Sequence, residues 1–313
     1  MSPSGSSGAD PAVLDDEVGD LLQSEVPLGP LTTYRVGGCA RRMAVVEHED
    51  DLATLARAVA RHGVDVLVIG KGSNLLVADA GFDGLAILLG PGFGEVHVGA
   101  DGLVRAGGAA LLPVVARRTA AAGLTGFEWA VGVPGTIGGA VRMNAGGHGS
   151  DMAASLVRVR VVDLWGGNDG VVDAAALDLR YRSSSLAAHQ VVAWAELSLR
   201  PGDRATSEAE IAEIVRWRRE NQPGGQNAGS VFTNPPGDSA GRLIEAAGCK
   251  GLRVGTAQVS TKHANFIQAD EDGTAADVVA LMAQVQAQVR EHSGVDLVPE
   301  TRLVGFAGRS EPS

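Results

Sequence analysis

Three segments carry the residues whose types and spacing could do chemistry. In VIGKGSNLLVADAGFDG (Val68–Gly84), a strand-like run enters Gly70, Lys71, Gly72, Ser73 and Asn74. Glycines let a backbone turn tightly and approach a ligand. With N–H groups and the Ser73 and Asn74 side chains turned inward, such a loop cradles phosphate. The spacing is not GxxxxGKS/T, because Gly72 follows Lys71, and not GxGxxG, because Leu75 stands where the last glycine belongs. A β-turn with spare glycines is the competing reading. In GVPGTIGGAVRMNAGGHG (Gly132–Gly149), seven glycines fall in eighteen residues. Ordering such a stretch costs entropy, which is tolerated where backbone must touch a large flat or charged ligand. A flexible linker would be more polar and would lack Val133, Ile137, Val141 and Met143.

The third segment is NAGSVFTNP (Asn227–Pro235), where Ser230 stands between a glycine and a run that reads as buried. Its hydroxyl is either turn chemistry, bonding nearby backbone, or a donor held on a fixed backbone for proton transfer. The seven histidines form no HExxH and no close pair, which speaks against a metal site. The four tryptophans are not interleaved with basic residues as base stacking would require.

Around these segments the pattern is α+β. DDLATLARAVARHG (Asp50–Gly63) reads as a helix opened by aspartates and closed by glycine, and Leu111–Gly123 as another. VDVLVIG before the first glycine loop reads as a buried strand. Alternation between Ser155 and Leu199 predicts strands. Ser207–Glu220 reads as a helix starting on a capping box from Ser207 to Glu210. A long amphipathic helix is expected near the end, its face made of Val278, Leu281, Met282, Val285 and Val289. A boundary is expected at Arg200–Ser207, where Pro, Gly and polar residues cluster. The irregular mix of helices and strands argues against a repeating βαβ sheet.

The chain has 313 residues, 45% hydrophobic and 20% charged, with a net charge of −11. That charge argues against nucleic acid as a partner and leaves room for an anionic small ligand held by local cations and amides. Two distant cysteines offer no disulfide framework, which suits a reducing cytoplasm. No apolar run reaches a membrane span. The first residues lack the basic and apolar regions of a secretory signal and read as a disordered tail.

The glycine loops, YRSSSL, NAGSVFTNPPGDSAGRLIEAAGCKGLRVGTAQVSTKHANFI and PETRLVG, in this order, resemble the UDP-N-acetylenolpyruvoylglucosamine reductases from about Leu21 to Gly305. The resemblance implies an FAD-binding fold of the vanillyl-alcohol-oxidase type in two subdomains, 20–90 and 91–205. It also implies a substrate-binding domain over 206–299, with 300–306 returning to the first subdomain and tails at 1–19 and 307–313. It implies non-covalent FAD, NADPH as reductant, and the enolpyruvyl ether of UDP-N-acetylglucosamine as substrate.

By motif, Gly70, Lys71, Gly72, Ser73, Asn74 and Leu75 fall to the flavin pyrophosphate. Gly132, Val133, Pro134, Gly135, Ile137, Gly138 and Gly139 fall to the isoalloxazine and pyrophosphate, and TTYRVGG (Thr32–Gly38) to an opening strand at the cofactor. Arg182, Ser230 and Glu300 match the catalytic residues: the arginine at the enolpyruvyl group, the proton donor and the acid of PETRLVG. Tyr181, Asn234, Lys262 and His263 fall to substrate contacts. Thr233 stands where many relatives have lysine, and His148 where an aromatic is frequent. The interval between Arg182 and Ser230, filled by one strand, a linker and one helix, implies the shorter class without the extra tyrosine loop. The alternatives are another flavin-dependent oxidase or dehydrogenase on this fold, whose relatives often tether FAD through His or Cys, and a non-catalytic paralogue that binds nucleotide sugar.

Overall fold

The computed structural model describes residues 11–306, in an α+β architecture. Its helices are α1 (Pro11–Val18), α2 (Glu49–His62), α3 (Leu112–Ala121), α4 (Ile137–Arg142), α5 (Arg204–Asn221), α6 (Ala240–Ala246) and α7 (Ala275–Ser293). The first sheet orders its strands Leu22–Pro27, Cys39–Val46, Phe82–Leu89, Val66–Ile69. The last three of these run parallel, so Val66–Ile69 ends at the same edge of the sheet as its neighbour Phe82–Leu89. The second sheet has five antiparallel strands, in the order Asp169–Asp173, Leu156–Asp163, Gln190–Ser198, Leu103–Gly107, Val96–Val98. One apolar core joins the two sheets: Leu52, Leu55 and Val59 of α2 meet Leu85 and Ile87 of the first and Val162 and Val191 of the second.

Helix α2 matches its expected span. Glu49, Asp50 and Asp51 open it and Arg61 and His62 close it, each suited to the helix dipole. Gly63 ends it at φ +61, its N–H on Val59 O at 2.8 Å. Helix α7 buries the face expected of it, Val278, Leu281, Met282, Val285 and Val289. This face packs with α6 and with Val231, Phe232, Val259 and Ile267 in a third core that also takes Tyr34, Val36 and Leu76 from the first part of the chain.

Three expectations are corrected. Residues 11–18, expected within a disordered tail over 1–19, form α1. Leu14 and Val18 are buried in the α2 core. Asp15 pairs with Arg42 at 2.5 Å, and Glu17 with Arg61 and His62 at 2.8 Å. A helix this short gains its stability from such packing, not from propensity, so composition did not reveal it. The rest of that tail, 1–10, and the tail at 307–313 lie outside the described residues. Helix α5 does not start on a capping box from Ser207. Asp203 caps it, accepting Thr206 N–H at 2.8 Å, and the buried Ser207 hydroxyl donates to Glu128 at 2.6 Å. Nor does α5 open a separate unit at 206: its Ile211 and Ile214 lie in the core of α3, α4 and the second sheet.

The end of the described chain returns to its beginning. Arg302–Val304 pairs in parallel with Leu75–Val77, and Ala78 N–H donates to Val304 O at 2.8 Å. The Asp79 carboxylate accepts the N–H groups of Ala275 and Ala276 at 2.8 and 2.9 Å, tying the start of α7 to the same segment.

Candidate active site

The first glycine loop leaves the strand Val66–Ile69 and turns at Gly72, φ +60. A Cβ there would stand 2.3 Å from Leu31 O and 2.7 Å from Thr32 Cα, so neighbouring chain, before any ligand, demands glycine. A Cβ on Gly70 would stand 2.5 Å from Thr136 Oγ1, which marks where the two glycine loops touch. Thr136 starts α4, accepting Gly139 N–H at 3.4 Å. The amides of Lys71, Gly72, Ser73, Asn74, Gly135 and Thr136 donate to no acceptor among the described residues. Bare amides on two facing loops form an anion cradle.

A long cleft runs past this cradle in two lobes of about 610 and about 550 Å³, which share Gly70, Lys71, Thr136, Gly139 and Arg142. The first lobe extends between Pro30–Thr33, Leu88–Pro91 and Val191. The second holds Val133, Pro134, Arg182, Ser230 and Glu300. A cofactor with a diphosphate waist and a flat group at each end fits this arrangement: amides at the waist, largely apolar walls on both sides. Ile137 is buried behind the second loop and anchors α4; Gly138 donates its N–H to Gly108 O at 2.9 Å and lines the first lobe.

Arg182 sits at the tip of a tight turn closed by Arg180 and Ser183, which exchange backbone bonds at 3.0 and 3.1 Å. Its φ is +57, a conformation that costs a non-glycine residue of order 1–3 kcal/mol and is usually retained for function. The buried Asn144 holds the turn, donating to Arg180 O at 3.0 Å. Arg182 Nε pairs with Glu300 Oε1 at 2.9 Å and one terminal nitrogen donates to Gly146 O at 3.0 Å. The other terminal nitrogen has no partner among the described residues, and the exposed Tyr181 ring lies 5.0 Å from the guanidinium. Burial pushes the Glu300 carboxyl above the ordinary carboxylate range; the guanidinium opposes this without cancelling it.

Ser230 follows Gly229, φ +75, whose N–H bonds Asn227 Oδ1 at 3.1 Å. Asn227 and Gly229 therefore make the turn, and the Ser230 hydroxyl bonds no described residue. The backbone beyond it is fixed: Val231 N–H reaches Asn265 O at 2.9 Å, and Val231 O accepts Glu300 N–H at 2.8 Å. That last bond sets the serine and the glutamate on paired segments at one wall of the lobe.

Known proteins match the chain along most of its length. A family model described as UDP-N-acetylenolpyruvoylglucosamine reductase, C-terminal domain, matches residues 221–304, and an FAD binding domain matches residues 40–168. A UDP-N-acetylenolpyruvoylglucosamine reductase of Acidiphilium cryptum is 44% identical over 297 residues, 94% of each chain. The chain belongs to the UDP-N-acetylenolpyruvoylglucosamine reductase family. The Heliobacterium modesticaldum reductase is 43% identical over 296 residues, 93% of this chain and 92% of its own. The solved reductase of Thermus caldophilus superposes with a TM-score of 0.79 at 35% identity, covering 90% of this chain and 99% of that one. The chain is thus an FAD-containing oxidoreductase.

Of the four expected substrate contacts, Tyr181 is exposed beside Arg182 outside the lining of both lobes, and the other three are engaged within the protein. Asn234 accepts Ala240 N–H at 3.0 Å and so holds the turn into α6. Lys262 donates to Arg219 O at 2.6 Å, satisfying a carbonyl at the end of α5. His263 packs edge-on to Phe266 and accepts Asn265 N–H at Nδ1, 3.3 Å away. None of the three lines either lobe. The second lobe is lined instead by Trp217 and Arg218 of α5 and by Gln222 just past its end, with Arg218 Nε donating to Gln222 Oε1 at 2.9 Å. His148, φ +51, meets the Trp217 ring edge-on at 5.1 Å, and burial with Arg218 nearby pushes its imidazole below the ordinary histidine range. The sequence signal for this group is the pair of arginines following a tryptophan in the last turns of a helix.

Proposed function

We propose that the chain reduces the enolpyruvyl ether of UDP-N-acetylglucosamine to UDP-N-acetylmuramate with NADPH, and that Arg182, Ser230 and Glu300 carry the second half of the cycle. When bound, FAD supplies the hydride relay between NADPH and the enolpyruvyl methylene carbon. The amides of Lys71, Gly72 and Ser73, with those of Gly135 and Thr136, would hold its diphosphate. Hydride arriving at the methylene carbon leaves negative charge on the carbon bearing the carboxylate, and that charge spreads into the carboxylate.

Arg182 answers the charge with its free terminal nitrogen, and a preorganised cation there is worth several kcal/mol in the transition state. Glu300 orients it: the ion pair at 2.9 Å from Nε to Oε1, with the Gly146 O bond at a terminal nitrogen, holds the guanidinium in place. Ser230 Oγ then gives its proton to the carbon, completing addition of one hydride and one proton. A serine is a weak acid and serves here by placement on a fixed backbone. The observation that carries the reading is the meeting, in one lobe beside the amide cradle, of an uncommitted serine hydroxyl and an arginine held by a half-buried carboxyl. Making a peptidoglycan precursor, the enzyme would work in the cytoplasm and bear on cell shape and division; two free cysteines suit that compartment.

An anaerobic absorbance titration tests this. NADPH should bleach the flavin, and the enolpyruvyl sugar nucleotide should restore its colour while gaining two hydrogens. Bleached protein that the substrate does not reoxidise would refute the assignment.

A further inference from the structure

Asn74 belongs to the first glycine loop, yet its side chain is committed elsewhere. Its side-chain Nδ2 donates to Glu300 O at 3.0 Å, and its backbone carbonyl accepts Arg302 N–H at 2.9 Å, so one residue grips the chain on both sides of Thr301. A carbonyl can only accept, so the group facing Glu300 O must be the amide nitrogen. On its other side, the Glu300 peptide is held by Val231 O at 2.8 Å. The acid is therefore pinned between the segment that bears Ser230 and the loop whose amides face the cleft. Between the two grips Thr301 is buried, and its hydroxyl is unpartnered among the described residues.

We propose that Asn74 is a positioning residue of the reductive step, locking the Glu300 backbone to the cofactor loop and thereby setting Arg182. This rests on the roles given above to Glu300 and Arg182. The loop that closes on the diphosphate ends at Asn74, so ordering that loop orders the acid as well. Without the carboxamide, Glu300 keeps its N–H bond and loses the opposing one. Its carboxylate then swings about Val231, and the Nε contact that aims the guanidinium is lost. Misplacement of a catalytic group by about 1 Å costs on the order of a hundredfold in rate.

The test uses the full-length holoenzyme carrying Asn74→Ala, Glu300→Gln or both, followed by rapid mixing in each half-reaction. FAD affinity of the apoprotein, read by flavin fluorescence, should stay within about threefold of wild type for Asn74→Ala, because backbone amides hold the diphosphate. Reduction by NADPH should change as little. Reoxidation by the enolpyruvyl substrate should slow by about tenfold to a hundredfold, and the double variant should be no slower than Glu300→Gln alone. In Asn74→Asp the carboxylate repels Glu300 O, while its protonated form regains a donor. Reoxidation by that variant should therefore recover as pH falls, unlike wild type. Additive slowing in the double variant, equal slowing of both halves, or loss of FAD from both Asn74 variants would overturn the proposal. If Glu300→Gln alone reoxidises at the wild-type rate, the role of Glu300 has failed. If only Asn74→Ala does, the positioning role has failed and that of Glu300 stands.

Discussion

Ser230→Ala separates a turn residue from a proton donor, and the structure sets both magnitudes. A hydroxyl that held its turn would cost about 1 kcal/mol when removed. Here the turn is made by Asn227 Oδ1 and Gly229 N–H at 3.1 Å, and Ser230 Oγ bonds no described residue. Loss of the hydroxyl should therefore change stability by less than about 0.5 kcal/mol, the scale of a substitution that breaks nothing. The kinetic effect should be large and confined to one half of the cycle. Proton donation by a placed group contributes about two to four powers of ten, which is about 3–5 kcal/mol of barrier.

The assay is single-turnover mixing. The variant is first reduced anaerobically with NADPH, which should proceed at a near-normal rate, and is then mixed with the enolpyruvyl substrate while flavin absorbance is followed. Recovery of colour and formation of saturated product should slow together. Ser230→Cys should regain part of the rate, since a thiol donates from nearly the same position. Reoxidation of Ser230→Ala at the wild-type rate with product formed would refute the reasoning.

Gly72→Ala should yield flavin-poor protein with a lowered melting temperature, because a Cβ at φ +60 would meet Leu31 O at 2.3 Å and push Leu31–Thr33 out of the cleft wall; flavin-to-protein ratio and a thermal melt check it. Arg182→Lys keeps the charge and loses the planar fork that meets Glu300 and Gly146 O, so reoxidation should slow by about two powers of ten while reduction by NADPH changes little in stopped flow. Burial holds the His263 imidazole below its ordinary range, so the folded state binds fewer protons than the unfolded chain just below that range. Stability should therefore fall as pH drops below about 6.5, and His263→Gln should flatten that slope in urea unfolding compared at about pH 7.5 and about 5.5.

Much of the frame was legible because local chemistry and tertiary packing agree there. Helix α2 carries its own caps and glycine stop, and the buried face of α7 shows directly in the spacing of Val278 to Val289. The glycine loops were legible as sites of close approach, although Gly72 answers first to Leu31 and Thr32. Pairings across the chain were not legible. Nothing near Asn74 announces Glu300, and Ser207 reads as a cap because its partner Glu128 lies far upstream. Asn234, Lys262 and His263 lie outside the lining of both lobes for the same reason: each is a polar side chain in a suitable segment, engaged by backbone or packing that only the fold reveals. Arg182 in a left-handed conformation is the opposite case, a local oddity maintained by distant partners Asn144 and Glu300.

The parallel pairing of Arg302–Val304 with Leu75–Val77 has a consequence for biogenesis. Synthesis proceeds from the N-terminus, and early parts fold first. Both glycine loops, the turn bearing Arg182 and the segment bearing Ser230 leave the ribosome before Glu300. On the proposed roles, a nascent chain would have both glycine loops while the acid that would aim its arginine has yet to emerge. Until then Leu75–Val77 waits without a strand partner, and at three residues it is too short to recruit a foreign one readily. Cofactor capture would then precede competence, which would wait for the one late strand that carries Glu300 into place.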